Sequence, residues 1–460
     1  MNGGRPNLIG DDNRLRPEDR AAHHWYRFVL SFPPQLIRTY VERFGLGGAS
    51  RVLDPFCGTG TTLVECRKLR VPSVGLERNP MAHLASRVKV NWEIEPASLL
   101  AHARIVAGRA LDWLSAEGIP DSPRLPLFNH VSKAAVPPVD LRRLPPEAAR
   151  LLLKDSISPL PLHKTLVLLE ALEQVRDDAY YDHERLALAR TVVFEASNLN
   201  FGPEVGAGPP KSDAAVIAPW LEAVKAMAAD LEAVRGSVAE ASVRLGDARD
   251  VNTLVEPCSI DAVVTSPPYP NEKDYTRTTR LESVLLGFIR NQAELRALKK
   301  ELVRSNTRSV YSVDRDDDLV ANHREIQRIA AAIEQRRLDL GKTSGFERMY
   351  ARVTRLYFGG MARHLASLRG VLKPGARLAY VVGDQASYLR VMIRTGQLLA
   401  DIAQSLGYEV ESIDLFRTRL ATVTREALRE EVVVLRWPGS NYLSAPSLDR
   451  LYSSDRRRPR

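Results

Sequence analysis

Ser50-Arg51-Val52-Leu53 is a short apolar run that stops at Asp54-Pro55 and enters Phe56-Cys57-Gly58-Thr59-Gly60. A strand that breaks into a glycine-spaced turn is the opening of a βαβ unit when a helix follows. Thr61 to Leu69 carries its apolar residues at helical spacing, and Pro72-Ser73-Val74-Gly75-Leu76-Glu77 reads as the next strand. The crossover predicts a parallel sheet and an α/β fold. Outward from this unit, further strands are predicted at Val243 to Leu245, Ile260 to Thr265, Arg377 to Val382, Tyr408 to Ile413 and Val432 to Leu435. The last two are joined by a moderate loop, which fits an antiparallel pair at one sheet edge.

Two stretches break the alternation. Residues 93–240 are proline-punctuated and then mainly helical, and residues 291–347 are densely charged with Ile326, Ile329, Ala332 and Ile333 at helical spacing. The expected organisation is a core over 1–92, 241–290 and 348–440, interrupted by these two helical insertions and followed by a basic tail over 441–460. The 460 residues carry 65 Lys+Arg against 56 Asp+Glu, a net charge of +9 that favours a polyanionic partner. Three cysteines, none in a CxxC or Cys/His cluster, exclude a disulfide scaffold and a thiolate zinc site, and no metal site is expected. No uninterrupted apolar stretch of about 18 residues is present, so secreted and membrane roles are set aside and the expected location is cytoplasmic.

Glycine-rich turns after a first strand usually cradle phosphate. Here no Lys-Ser/Thr pair follows the glycines, and the spacing is not the three-glycine dinucleotide pattern. Asp54 at the head of the turn would repel an anion and attract the ammonium of an amino-acid moiety. Gly58 and Gly60 permit close backbone approach. Glu77, at the end of the second strand and roughly 20 residues on, stands where a carboxylate grips ribose hydroxyls. A nucleoside carrying an amino acid satisfies all three, and S-adenosylmethionine is the expected cofactor.

The strand Ile260 to Thr265 runs into Ser266-Pro267-Pro268-Tyr269. Two prolines fix φ and remove two donors, so the turn presents acceptors. An exocyclic amino group needs such acceptors: the Ser266 hydroxyl and the Pro267 carbonyl can each take one N–H, and Tyr269 offers a face on which a base stacks.

Asp54-Pro55-Phe56-Cys57-Gly58-Thr59-Gly60-Thr61-Thr62 with Thr265-Ser266-Pro267-Pro268-Tyr269 resembles the amino-group DNA methyltransferases, and the Ser form of the second turn is similar to their N4-cytosine branch. The resemblance implies a Rossmann-like methyltransferase sheet with an antiparallel edge strand, S-adenosylmethionine as donor, and a restriction-modification or host-marking role alongside a cognate restriction endonuclease. It extends to His24-Trp25-Tyr26 and Phe32-Pro33-Pro34 as a cofactor-packing segment, to Gly246-Asp247 as an adenine-binding turn, and to Leu372-Lys373-Pro374-Gly375 with Val381-Val382-Gly383-Asp384 as a core strand. Pro55, Phe56, Thr61, Phe32, Pro33 and Asp247 thereby join Asp54, Gly58, Gly60 and Glu77 as cofactor residues, and Ser266, Pro267, Pro268 and Tyr269 are the catalytic ones.

The cofactor turn precedes the catalytic turn, whereas many N4-cytosine enzymes have the permuted order, so adenine N6 stays open as the target. An RNA guanine-N2 methyltransferase shares the first turn but usually carries Asp before the two prolines. A non-catalytic nucleic-acid-binding scaffold tends to lose one turn, and both are intact. The expected partner is duplex DNA with an extruded base. Lys273, Tyr275, Arg277 and Arg280 follow the catalytic turn, where DNA phosphates would press. Asn198 and Asn200 lie on a loop able to read base edges, and Arg324, Arg328 and Arg336 form a candidate backbone clamp. Cys57 reads as a small buried side chain rather than a nucleophile.

Overall fold

The computed structural model describes residues 15–26, 32–121, 140–201, 204–236, 239–420 and 427–439. The tail over 441–460 lies outside the described residues. The strands are β1 (Val52–Asp54), β2 (Ser73–Glu77), β3 (Leu199–Phe201), β4 (Val205–Ala207), β5 (Ala241–Leu245), β6 (Ile260–Thr265), β7 (Leu372–Gly383), β8 (Glu409–Leu420) and β9 (Ala427–Arg436). Seven of them form one sheet in the order β5-β2-β1-β6-β7-β9-β8, and β3 pairs with β4 in a separate antiparallel hairpin.

The pairs β5-β2, β2-β1, β1-β6 and β6-β7 are parallel, while β9 is antiparallel to both β7 and β8. The reversed strand is therefore one place in from the edge, and the edge strand β8 runs with the others; the expectation of an antiparallel edge strand is corrected accordingly. The residues explain the placement. Val432, Val433, Val434 and Leu435 are all buried and need cover on both faces, whereas β8 presents Glu409, Ser412 and Asp414, side chains suited to an edge.

Strand periodicity assigns the two faces. Leu53, Val263, Leu378, Tyr380, Val382, Val433 and Leu435 point one way into one core. Their neighbours Val52, Ala262, Val264, Ala379, Val381, Val432 and Val434 point the other way into a second. The first face is covered by α9 (Arg324–Asp339), α10 (Tyr350–Leu368) and α11 (Thr395–Ser405), the second by α1 (Pro34–Arg43) and α2 (Thr61–Lys68).

The remaining main helices are α3 (Pro80–Lys89), α4 (Pro96–Ala116), α5 (Pro159–Gln174), α6 (Tyr181–Thr191), α7 (Ile217–Val234) and α8 (Gln292–Lys300). The apolar faces of α4 to α7 share one core with Leu63 and Val64 of α2 and with Met81, Leu84 and Val88 of α3. These helices are thus packed onto the sheet layers. Trp25 joins them as well, donating Nε1–H to Asp230 at 2.7 Å. Within the charged insertion, Ile326, Ile329, Ala330 and Ile333 bury one side of α9 against the first face. Among the described residues no helix is long and apolar enough to cross a membrane.

Candidate active site

The carboxyl ends of β1, β2, β6 and β7 converge on one cleft of about 300 Å³, the position at which open parallel sheets bind ligands. Pro55, Phe56, Gly58 and Thr61 from the first turn line it, with Glu77, Asp247, Phe32, Pro33 and the whole of Ser266-Pro267-Pro268-Tyr269. Two turns about 200 residues apart in sequence therefore share one wall because β1 and β6 are neighbours, Val52 facing Ala262.

Asp54 and Gly60 do not line the cleft but shape its wall. Asp54 is 1% exposed; its Oδ1 accepts from Thr265 Oγ1 at 2.6 Å and from the Phe56 N–H at 3.2 Å, and its Oδ2 makes no hydrogen bond among the described residues. Burial, only partly offset by these bonds, raises its pKa to about 6. Gly60 has φ +87°, and a Cβ there would lie 3.1 Å from Ser86 Cα, so this glycine lets the turn press onto α3. Glu77 accepts the Gly58 N–H at 2.8 Å through Oε2 and the Asn79 N–H at 2.7 Å through Oε1. Burial raises its pKa to about 7. Phe56 meets the buried His364 ring edge-on at 4.9 Å, which sets the plane of the apolar wall.

Asp247 caps a short helical turn by accepting the Arg249 N–H, and its carboxylate also takes the Arg249 guanidinium. Arg249 is itself buried and reaches Asp316 of the charged insertion at 2.7 Å. Ser266 donates to the Val381 carbonyl at 3.0 Å. Its proton is thereby committed to the sheet, and its lone pairs remain to accept. Tyr269 lies against β7, where a Cβ added to Gly383 would sit 3.2 Å from Cε2 of the ring.

The donor set fits S-adenosylmethionine. Glu77 retains lone pairs toward the cleft, and Phe56, Phe32 and Pro33 supply apolar faces, while Asp54, expected as a cofactor contact, is buried behind the turn and acts on the cleft through the wall it shapes. Cys57 is buried beside Gly75 and its thiol is pushed well above the usual range by burial, which fits the structural reading rather than a nucleophile.

The residues expected at DNA divide. Lys273 and Tyr275 line the cleft, and burial pushes the Tyr275 hydroxyl up to about 12. Arg277 and Arg280 turn instead into a neighbouring cavity. Asn198 is buried: its amide donates to the Asp155 carbonyl at 2.9 Å and Ser158 Oγ at 3.1 Å, and accepts the Lys211 N–H at 2.8 Å. Its side chain is committed to the loop scaffold and does not face a duplex, whereas Asn200 is exposed on β3. Arg324, Arg328 and Arg336 are exposed on α9, Arg328 paired with Glu325 at 2.6 Å.

Sequence reading misses the part of the charged insertion that closes the cleft. Glu301, Val303, Ser305, Asn306 and Ser309 line it, as do Arg417 and Glu430 of the β8-β9 hairpin. Asn306 donates to the Lys273 carbonyl at 3.1 Å, Thr307 Oγ1 to Glu272 at 3.0 Å, and Lys299 pairs with buried Asp274 at 2.6 Å. The density of charge in this segment is the one available signal, but it reads equally as a solvated face.

No family model matches the chain. Its sequence is 24% identical to the Type II methyltransferase M.BsoBI of Geobacillus stearothermophilus over 468 residues, covering 92% of this chain and 86% of that protein. It is 23% identical to the Type II methyltransferase M.AvaI of Nostoc over 465 residues, covering 93% and 88%. The chain is similar to Type II methyltransferases along nearly its whole length. The Type II methyltransferase M.MjaII of Methanocaldococcus jannaschii is 38% identical over 72 residues, a segment covering 15% of this chain and 13% of that protein. The resemblance to amino-group DNA methyltransferases carried by two short turns is thus borne out by relatives that match along nearly the whole chain. S-adenosylmethionine is the methyl donor of this group, in keeping with the donor set of the cleft.

Proposed function

We propose that the chain methylates duplex DNA at a defined sequence, placing the methyl on the exocyclic N4 amine of a flipped-out cytosine, in restriction-modification or host DNA marking beside a cognate endonuclease. The observation that carries this reading is the acceptor turn. Ser266, with its proton held by Val381, and the Pro267 carbonyl offer lone pairs to an amino group, while Tyr269 offers a ring to the base plane. When bound, S-adenosylmethionine supplies an electrophilic methyl. Glu77 and Phe56 would hold it, with Asp54 fixing the turn behind them, and Ser266 with Pro267 would orient the attacking nitrogen. Positioning then supplies most of the rate, without a strong general base. The amine becomes acidic as it is methylated and can lose its proton late.

The test is to express the protein in a host free of methylation and sequence that DNA by a method separating N4-methylcytosine from N6-methyladenine. N4-methylcytosine at one recurring sequence supports the reading. N6-methyladenine at such a sequence would move the target to adenine with the same site, and unmodified DNA would reject the assignment.

A further inference from the structure

A second cavity, of about 530 Å³, opens beside the active-site cleft and shares Asp274 with it. It stands where three parts of the chain meet: Lys154 and the hairpin residues Gly206 and Ala207 from the long insertion, Arg277 and Arg280 after the catalytic turn, and Lys299 and Arg308 from the charged insertion. Among the described residues, five of its lining side chains are cationic and Asp274 is the single acid. That acid is already engaged by Lys299 at 2.6 Å.

The two arginines deepen the imbalance. Arg277 donates to the Val205 carbonyl at 3.2 Å, and Arg280 to the carbonyls of Thr276 at 3.0 Å and Leu151 at 3.3 Å and to the Thr276 hydroxyl at 2.9 Å. Among the described residues no carboxylate hydrogen-bonds either guanidinium. Both are partly buried, and burial, with repulsion from Arg277 and against the attraction of Asp274, lowers the pKa of Arg280. Guanidiniums hydrogen-bonded only to neutral acceptors, partly desolvated and sharing a single carboxylate that Lys299 already engages, lower their free energy by taking an anion. Arg308 is exposed at the mouth and stacks over the Phe346 ring at 5.7 Å.

Resting on the duplex-DNA reading, we infer that this cavity is the seat of a single phosphodiester of the target strand, the one next to the extruded nucleotide. Because the cavity shares Asp274 with the cleft, a strand whose base enters the cleft would pass it with a neighbouring linkage. Holding that phosphate would fix the strand while its base turns into the Ser266 turn, and the β3-β4 hairpin carrying exposed Asn200 would abut the same strand. The cavity is thus a register point that joins recognition to chemistry, distinct from the diffuse charge of α9.

The test uses the whole enzyme and a duplex bearing its methylated sequence, with one neutral methylphosphonate at each linkage around the target in turn. Wild-type protein should bind about tenfold more weakly when one particular linkage beside the target is neutral, and be indifferent to more distant ones. Arg280→Gln should bind the unmodified duplex about tenfold more weakly and lose that sensitivity. The exposed pair Lys154→Gln with Arg308→Gln repeats the measurement without touching a buried side chain. Wild-type indifference at every linkage beside the target, or undiminished sensitivity in both variants, would overturn the inference. Absence of methyl transfer to any duplex is a different result, which removes the duplex-DNA reading and the inference with it.

Discussion

Thr265 Oγ1 donates to Asp54 Oδ1 across 2.6 Å, so the last residue of the strand before the catalytic turn holds the first residue of the cofactor turn. The bond lies in the core between adjacent strands, where a lost partner is not replaced by water. Thr265→Val keeps the shape and removes the donor. Donor affinity, measured by calorimetry, should fall by roughly tenfold, as expected for a charge-assisted bond worth about 1.5–3 kcal/mol. An unchanged affinity would show that the Thr265–Asp54 bond does not shape the donor site.

Donor binding should strengthen as pH rises. Asp54, at about 6, and Glu77, at about 7, are raised by burial and are partly protonated near neutrality in the free protein. A cationic ligand favours ionised Asp54, so binding releases protons and affinity climbs through roughly pH 5 to 7. Asp54→Asn should bind weakly with a flatter profile. Global stability is a poorer reporter of the same groups. Raised carboxyls stabilise the fold as pH falls through their folded values, while His23, His183 and His364, lowered to about 4 by burial, lose stability over an overlapping range.

Ser266→Ala removes an acceptor and Tyr269→Ala removes the stacking face, neither at the end of the cleft that would hold the amino acid. Each should lower the rate of methyl incorporation on the order of 10²-fold while changing donor affinity less than twofold. Wild-type incorporation of labelled methyl by both variants would show that the turn does not hold the amine.

What the sequence discloses follows physical locality. The strands are legible because both faces of the sheet are covered, so Val432 to Leu435 and Val263 to Val264 appear as unbroken apolar runs. The two turns are legible because each concentrates its chemistry in a few consecutive residues. The order of the strands is less so: β8 and β9 read as a pair at the edge, but which of them is outermost depends on the cover that each face receives. The closing segment around Asn306 is not legible at all. Its hydrogen bonds to Lys273 and Glu272 join residues more than 30 apart, and no periodicity encodes them. The sequence alone misplaces Asn198 for the same reason, since an amide's partners at Asp155 and Lys211 are invisible in a loop read by itself.

The two loop asparagines should separate cleanly. Asn198→Ala leaves the Lys211 N–H and the Asp155 carbonyl without their partner and should destabilise the fold by about 1–3 kcal/mol in denaturant titration. Asn200→Ala, exposed on its hairpin, should leave stability unchanged and alter the preference between the methylated sequence and single-base variants of it. Equal discrimination by Asn200→Ala and wild type would move base reading away from this hairpin.

The exposed face of α9 should act on the DNA backbone without reading sequence. Its apolar side, Ile326, Ile329 and Ile333, is fixed in the core, so Arg324, Arg328 and Arg336 project from a rigid rod rather than a loop. A rigid row of cations matches repeating phosphates better than it matches varied base edges. Neutralising all three should weaken binding to cognate and random duplexes alike. For every phosphate that is no longer neutralised, the slope of log affinity against log salt should become shallower by about one. Arg328 should contribute least of the three, because Glu325 already compensates its charge at 2.6 Å. Loss of discrimination with non-specific affinity preserved would show instead that α9 reads bases, and would return the clamp to the cations around Arg277.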